Sequence, residues 1–224
     1  MSKCFWIGVG DIHESYSQIL SLPELKDAKG LLISGDITNS KFHKEKIQGF
    51  FSNLMEINPH IWAQIGNMDT FEVEELLDEL GINVHLKLIS LTEDVYLAGV
   101  GYSTFTPFNT PSEVSEDTMT EWLKELKSAL HQKSVLDKHL IFMTHTPPYN
   151  TKCDVIMGGS HVGSKAVREF IEQVQPDICF TGHIHESKAI DEIGKTLIVN
   201  PGAVEQGGYV KIIWLDDHLE VELI

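Results

Sequence analysis

The chain has 224 residues, of which 42% are hydrophobic and 22% charged, the composition of a globular protein long enough to bury a large core. Its 33 acidic residues against 17 basic ones leave a formal charge of −16, which excludes a broad basic face for non-specific binding to a nucleic-acid duplex. No Ser/Gly-rich tract or repeat period divides it, so one domain over residues 1–224 is expected.

The first apolar run is cut short by Asp11, too soon for a secretory signal or a membrane span, and a cytoplasmic protein without membrane association is expected. It reads instead as a strand, Lys3 to Val9. Tyr16, Ile19, Leu20 and Leu22 share one face of a short helix that stops before Pro23. A strand from Leu31 to Ser34 leads into a helix from Lys41 to Asn58, with Phe42, Ile47, Phe50, Phe51 and Leu54 on its inner face. A strand from Ile61 to Ile65 precedes a third helix, capped by Asp69 or Thr70 and stopped at Gly81. Three β-α-β units in succession imply a mainly parallel sheet.

After Gly81, Val84 to Leu91 and Val95 to Gly101 read as strands. The segment from Ser103 to Pro111, with Pro107 and Pro111, reads as a loop at the mouth of a site. A helix from about Ser115 to Leu130 presents Met119, Trp122, Leu123, Leu126 and Leu130 inward. His139 to Met143 and Asp177 to Phe180 are strands, separated by a helix from Ser164 to Val174. Strands at Ser187 to Asp191, Thr196 to Asn200, Tyr209 to Leu215 and Leu219 to Leu223 follow. This order fits an α/β fold, a four-layer α/β/β/α sandwich of two mixed sheets.

Five of these strands run straight into residues with metal-binding chemistry: Asp11-Ile12-His13, Gly35-Asp36, Gly66-Asn67-Met68-Asp69, Thr144-His145-Thr146 and Gly182-His183-Ile184-His185. In an open α/β sheet, residues beyond the carboxyl ends of the strands line the ligand crevice, so five strand ends converge on one place. Any one motif alone reads as a turn or a helix cap; five in this order do not. Two divalent ions roughly 3.5–4 Å apart can hold a bridging hydroxide and clamp the oxygens of a phosphoester during in-line attack. Asp36 is the natural bridge. Asp11, His13 and one histidine of the 182–185 turn would hold one ion, with Asn67, His145 and the other histidine at the second. Mixed carboxylate, imidazole and amide ligation suits Mn, Fe, Zn, Ni or Co better than Ca, and either divalent or trivalent ions are accommodated.

These motifs resemble the calcineurin-like metallophosphoesterases, whose series is Asp-x-His, Gly-Asp, Gly-Asn-His-Asp/Glu, His and Gly-His-x-His. The stretches Thr144 to Pro148, His161 to Ser164 and Gly182 to Ser187 are similar to the Icc-related branch of compact prokaryotic phosphoesterases. The resemblance implies that His185 joins Asp11, His13 and Asp36 at the first ion, and that His183 joins Asn67, His145 and Asp36 at the second. It also exposes a departure: the histidine that follows the metal-binding asparagine in much of the family is Met68 here. A thioether can neither stabilise charge nor give up a proton.

His161, in a glycine-rich loop after His145, is the candidate replacement proton donor. Asp69 reads as a helix cap or a support for a ligand. Asn39, Asn109 and Lys152 are candidate phosphate contacts. Cys4, Cys153 and Cys179 are too scattered for a disulfide framework; Cys4 and Cys179 read as inert buried thiols, and Cys153 is retained as a site candidate. The leading expectation is a phosphodiesterase on a small or nucleotide-like substrate. The alternatives are a phosphomonoesterase or protein phosphatase, or a metal-binding scaffold without turnover. The sequence sets no oligomeric state.

Overall fold

Every strand expected ahead of a ligand motif is present in the computed structural model, which describes residues 4–133, 135 and 137–224. The first strand was expected from Lys3, which lies outside the described residues. Strands β1 (Cys4–Val9), β2 (Leu31–Ile33) and β3 (Ile61–Ala63) alternate with helices α1 (Tyr16–Leu20), α2 (Lys44–Ile57) and α3 (Phe71–Glu79). Then come β4 (Leu88–Ser90), β5 (Val95–Val100), β6 (Ser103–Thr104) and β7 (Glu113–Val114), and helix α4 (Glu116–Gln132). Strand β8 (His139–Thr144), helix α5 (Lys165–Val174), and strands β9 (Ile178–Phe180), β10 (Ala189–Ile193), β11 (Thr196–Asn200), β12 (Val210–Leu215) and β13 (His218–Leu223) complete the order.

Two large sheets result, one ordered β13-β12-β1-β2-β3 and the other β10-β11-β9-β8-β5-β4. The ligand-bearing strands are parallel neighbours: β1, β2 and β3 in the first sheet, β8 and β9 in the second. Register aligns their carboxyl ends. Val9 pairs with Ile33 and Ile33 with Ala63, so Asp11, Asp36 and Asn67 all leave one edge. Met143 pairs with Phe180, which does the same for His145 and His183.

Successive strand side chains point to opposite faces, and here both faces are covered, so the strands read as unbroken apolar runs. Trp6, Leu32, Ile141, Met143, Ile178, Phe180, Val199 and Ile212 fill the seam between the sheets. Ile7, Leu31 and Ile33 face outward onto Ile19, Phe50, Phe51 and Leu77 of α1 to α3. Phe142, Cys179 and Ile198 face outward onto Leu123, Leu126, Val167 and Phe170 of α4 and α5. The four-layer α/β/β/α sandwich is thus realised.

One polar side chain also crosses the seam. The buried Gln64 amide nitrogen donates to the carbonyls of Ser34 at 3.4 Å, Val100 at 3.0 Å and Met143 at 3.4 Å, joining the ends of β2, β5 and β8.

The strand expected from Val84 to Leu91 is shorter, Leu88–Ser90. Asn83 bridges to Ala63 of the first sheet and His85 to Gly99 of the second, so this segment crosses between sheets, and Leu86 takes a left-handed φ of 53° at the crossing. The 103–111 segment is a loop as expected, bracketed by a small parallel pair, Ser103 with Glu113 and Thr104 with Val114. Helices α4 and α5 begin where their caps predict: Ser115 accepts from the Thr118 N–H and Ser164 from the Val167 N–H.

Candidate metal centre

Asp36 sits at the middle of the convergence. Donor atoms of Asp11, His13, Asp36 and His185 lie within 4.8 Å of one another, and those of Asp36, His145 and His183 do the same. Asp36 Oδ2 is 3.6 Å from His13 Nε2 on one side and 3.4 Å from His145 Nε2 on the other. His13 Nε2 and His185 Nε2 are 3.1 Å apart, and His185 Nε2 is 3.4 Å from Asp11 Oδ1. Asn67 Oδ1 joins the second group, 3.0 Å from His145 Nε2.

The far sides of these ligands are held. Asn39 accepts from His13 Nδ1 at 3.0 Å, and the Ser34 carbonyl accepts from His145 Nδ1 at 3.2 Å, which turns each Nε2 inward. Asp36 Oδ1 accepts the Met68 N–H at 2.8 Å. Both Asp11 oxygens accept the His183 N–H, at 3.1 and 3.0 Å. The Asn67 amide donates to Thr110 at 2.9 Å, and Glu113 accepts from both the N–H and the hydroxyl of Thr110. Buried Asp69 ties the two loops: it accepts from the N–H groups of Ile37, Thr38 and Gly66 and from the Thr38 hydroxyl. Asp69 is therefore a support, while Thr70 takes the N-cap position of α3 without a side-chain capping bond.

Backbone geometry at the site is specialised. Asp11, His13, Asp36 and His183 have φ of 53°, 45°, 54° and 72°, a region that non-glycine residues seldom occupy outside functional sites. Gly66 is packed so closely that a Cβ there would run into Asp36 Oδ1 and would lie 2.6 Å from His145 Cε1. Only glycine lets the two ligand loops approach this far.

The electrostatics suit cations. Burial raises the Asp36 carboxyl, but His145 beside it, then His13 and the Met68 N–H, hold it down at about 2. Burial lowers His145, yet Asp36, with Asp11 and Asp69, lifts it to about 9. Loss of hydration and then His145 push His183 down to about 4. A hydrogen bond to Asp11 raises His185. Carboxylates thus draw positive charge into a pocket whose inward atoms are oxygens and imidazole nitrogens, a donor set that fits two transition-metal ions sharing Asp36.

A cavity of about 670 Å³ opens over these atoms, lined by His13, Asp36, Asn67, His183 and His185 together with Ser40, Met68, Phe108, Asn109, Thr110 and Pro111. Asn109, a candidate phosphate contact, is one of these lining residues. Asn39 lies behind His13. Lys152 is exposed and turned to Asp191, with Nζ 3.7 Å from that carboxylate. His161 is bonded through Nδ1 to buried Asp154 at 2.6 Å and packs by Tyr149; it lines neither this cavity nor the cleft beside it. Cys153 is fully buried on the outer side of the second sheet, its thiol pushed up to about 12 by burial, so it offers no accessible thiolate. Cys179 is buried as read, whereas Cys4 is half-buried at the start of β1. Thr110 and Glu113 escaped the sequence reading, although Thr110 falls inside the loop predicted for the site mouth.

Among the described residues no helix is long and apolar enough to cross a membrane. Protein MJ1162 of Methanocaldococcus jannaschii is 36% identical over 202 residues, covering 87% of this chain and 86% of that one. Two crystal structures share the fold: TT1561 of Thermus thermophilus, with a TM-score of 0.71 at 19% identity over 99% of both chains, and a dimetal phosphatase from Danio rerio, with 0.68 at 10% identity over 98% of this chain and 95% of that one. The family model for metallophosphoesterases of the calcineurin superfamily matches residues 35–223, from Gly35 through the Asp36, Asn67, His145 and His183-x-His185 motifs. Asp11 and His13 precede that match, and the fold brings them to the same point. The chain belongs to the calcineurin-superfamily metallophosphoesterases, metal-dependent hydrolases of phosphoric esters.

Proposed function

We propose that this protein is a dinuclear phosphodiesterase acting on a small or nucleotide-like phosphoester, with Asp11, His13, Asp36 and His185 holding one ion and Asp36, Asn67, His145 and His183 the other. The observation that carries the reading is the single carboxylate, Asp36, common to both donor groups. Bound ions supply Lewis-acid polarisation of the phosphoryl oxygens and a water of lowered pKa. The chain's own residues fix the donors: Asn39 and the Ser34 carbonyl set the ring orientations, and Asp69 holds the Asp36 and Asn67 loops in register. Asn109 is among the lining residues, and we assign its amide as a donor to a phosphoryl oxygen.

The preference for diesters rests on the resemblance to family members without a histidine at the Met68 position, and what surrounds the ligands adds a demand for a good leaving group. Ser40, Met68, Phe108, Asn109, Thr110 and Pro111 complete the lining, and none is a general acid near neutral pH. An ester whose leaving oxygen needs no protonation by a side chain fits this lining best.

The test restores Mn, Fe, Co, Ni, Zn or Mg to metal-stripped protein and compares bis(4-nitrophenyl) phosphate with 4-nitrophenyl phosphate. Two ions per chain and diester turnover that Asp36→Asn abolishes are expected. Turnover of the monoester alone would make the protein a phosphomonoesterase. Two bound ions with no turnover of either ester would favour the scaffold.

A further inference from the structure

Beside the metal-centre cavity runs a second cleft of about 500 Å³, whose lining includes Phe105, Phe108, Met157, His183 and Glu186. His183 and Phe108 line both spaces, so the cleft adjoins the cavity over the donor atoms. Its walls hold large apolar side chains out in water: Phe105 is 71% exposed, Phe108 80% and Met157 89%. A cluster of this kind, rimmed by polar groups, marks a contact surface for a ligand or partner.

Both walls stand on fixed bases. On one side, Glu113 accepts from the N–H groups and hydroxyls of Thr106 and Thr110, pinning the loop that carries Phe105 and Phe108. On the other, fully buried Asp154 accepts from the N–H groups of Asn150, Thr151 and Gly163 and from His161, and a Val155–His161 bridge closes the turn that carries Met157. The loops that carry the apolar side chains on both walls are therefore each held by a buried or half-buried carboxylate.

The charges narrow the occupant. No Lys or Arg is among the residues lining either space, and Glu186 is the one carboxylate in the cleft. Negative charge on a substrate finds partners only at the metal centre. A second phosphate, a polyphosphate tail or an acidic peptide in the cleft would meet Glu186 and no cation.

We infer that the Phe105–Met157 cleft is the specificity subsite of this phosphoesterase and takes an uncharged, apolar ring carried on the phosphorus atom held at the metal centre. A volume of this size is in the range of small-molecule pockets and well above the roughly 150 Å³ that encloses one benzene ring, so a bicyclic group fits. The inference rests on the phosphoesterase reading, and it names the class of substrate: a phosphoester with a single charged centre and one flat apolar substituent.

The probes are methyl-, benzyl- and 1-naphthylmethyl-phosphonate, none of which can be hydrolysed, titrated into Mn-loaded protein by calorimetry. Affinity is expected to rise at least tenfold from methyl to naphthylmethyl, and the exposed double variant Phe105→Ser/Met157→Ser should narrow that ratio to within threefold. Equal affinity across the series in the wild type, no binding by any member, or a ratio untouched by the double variant would overturn the inference. Metal-dependent hydrolysis of bis(4-nitrophenyl) phosphate, measured on the same preparation, reports separately on the phosphoesterase reading. Hydrolysis with a flat phosphonate series removes the subsite alone; a graded series without hydrolysis removes the phosphodiesterase reading alone.

Discussion

Asn39 grips His13 from two sides: its side-chain oxygen accepts from His13 Nδ1 at 3.0 Å, and its amide donates to the His13 carbonyl at 3.2 Å. The first bond fixes the tautomer that leaves Nε2 unprotonated, and the second holds the left-handed backbone from which the ring projects. Outer partners of this kind typically contribute about 10–100-fold in metal affinity. Asn39→Ala should weaken one of the two ions by that factor in a metal titration, while Asn39→Asp, which keeps the accepting oxygen, should weaken it less. A rise in KM with unaltered metal affinity would instead make Asn39 a substrate contact.

Asp69 takes no part in the donor groups, yet it accepts four hydrogen bonds from the loops on either side of Asp36. Removing it strands three buried backbone N–H groups. At about 1–3 kcal/mol for each unpaired group, with partial relaxation, Asp69→Ala should cost on the order of 3–5 kcal/mol in urea unfolding. Asp69→Asn, which retains one acceptor oxygen, should lie between. An unfolding midpoint that stays put in Asp69→Ala would refute the role assigned to this residue.

His161 supports a wall of the apolar cleft through its 2.6 Å bond to Asp154. His161→Ala should therefore raise KM for aryl esters and lower kcat less than about tenfold, below the 10²–10⁴-fold that a general acid supplies. Should kcat fall a hundredfold or more with loss of one limb of the pH profile, His161 is the proton donor after all.

His85 gives the fold a pH dependence of its own. Its Nδ1 accepts the Gly101 N–H at 3.1 Å, and the ring packs against Tyr102 and Trp122. Burial pushes it down to about 4, against the pull of Asp78. The folded state thus favours the neutral ring. That contribution is complete above the ordinary value near 6.5 and is lost as pH falls through 4. After discounting for the partly exposed edge of the ring, it amounts to about 1–2 kcal/mol. Urea unfolding of metal-stripped wild type and His85→Asn at pH 7, 5.5 and 4 should show the wild type losing that much more than the variant. Parallel losses would remove His85 from the account.

Asp36 and the six residues gathered around it were legible in the sequence because each follows an apolar run and each has side-chain chemistry with few other uses at a strand end. Helix starts were legible where a serine announces them, at Ser115 and Ser164. What the sequence concealed depends on contacts across long separations. Nothing near Asn39 in the chain shows that it meets His13, 26 positions away. The shortening of β4 follows from a crossover between sheets, and apolar periodicity carries no sign of that. The cleft was hidden for a related reason: Phe105 and Met157 lie on loops 52 positions apart in the chain, and each alone reads as a stray apolar residue.

Asp11, Asp36 and Asn67 come from the first sheet, and His145, His183 and His185 from the second, with Gln64 bonded across the join. Neither sheet carries a full coordination sphere. Chelation strength is therefore a gauge of how the two halves of the sandwich are docked. A substitution deep in the seam, at Trp6 or Phe180, neither of them a donor, should register first as faster ion release. On the proposed ligand set, bound ions would tie the two sheets together, and loading should raise the cohesion of the sandwich.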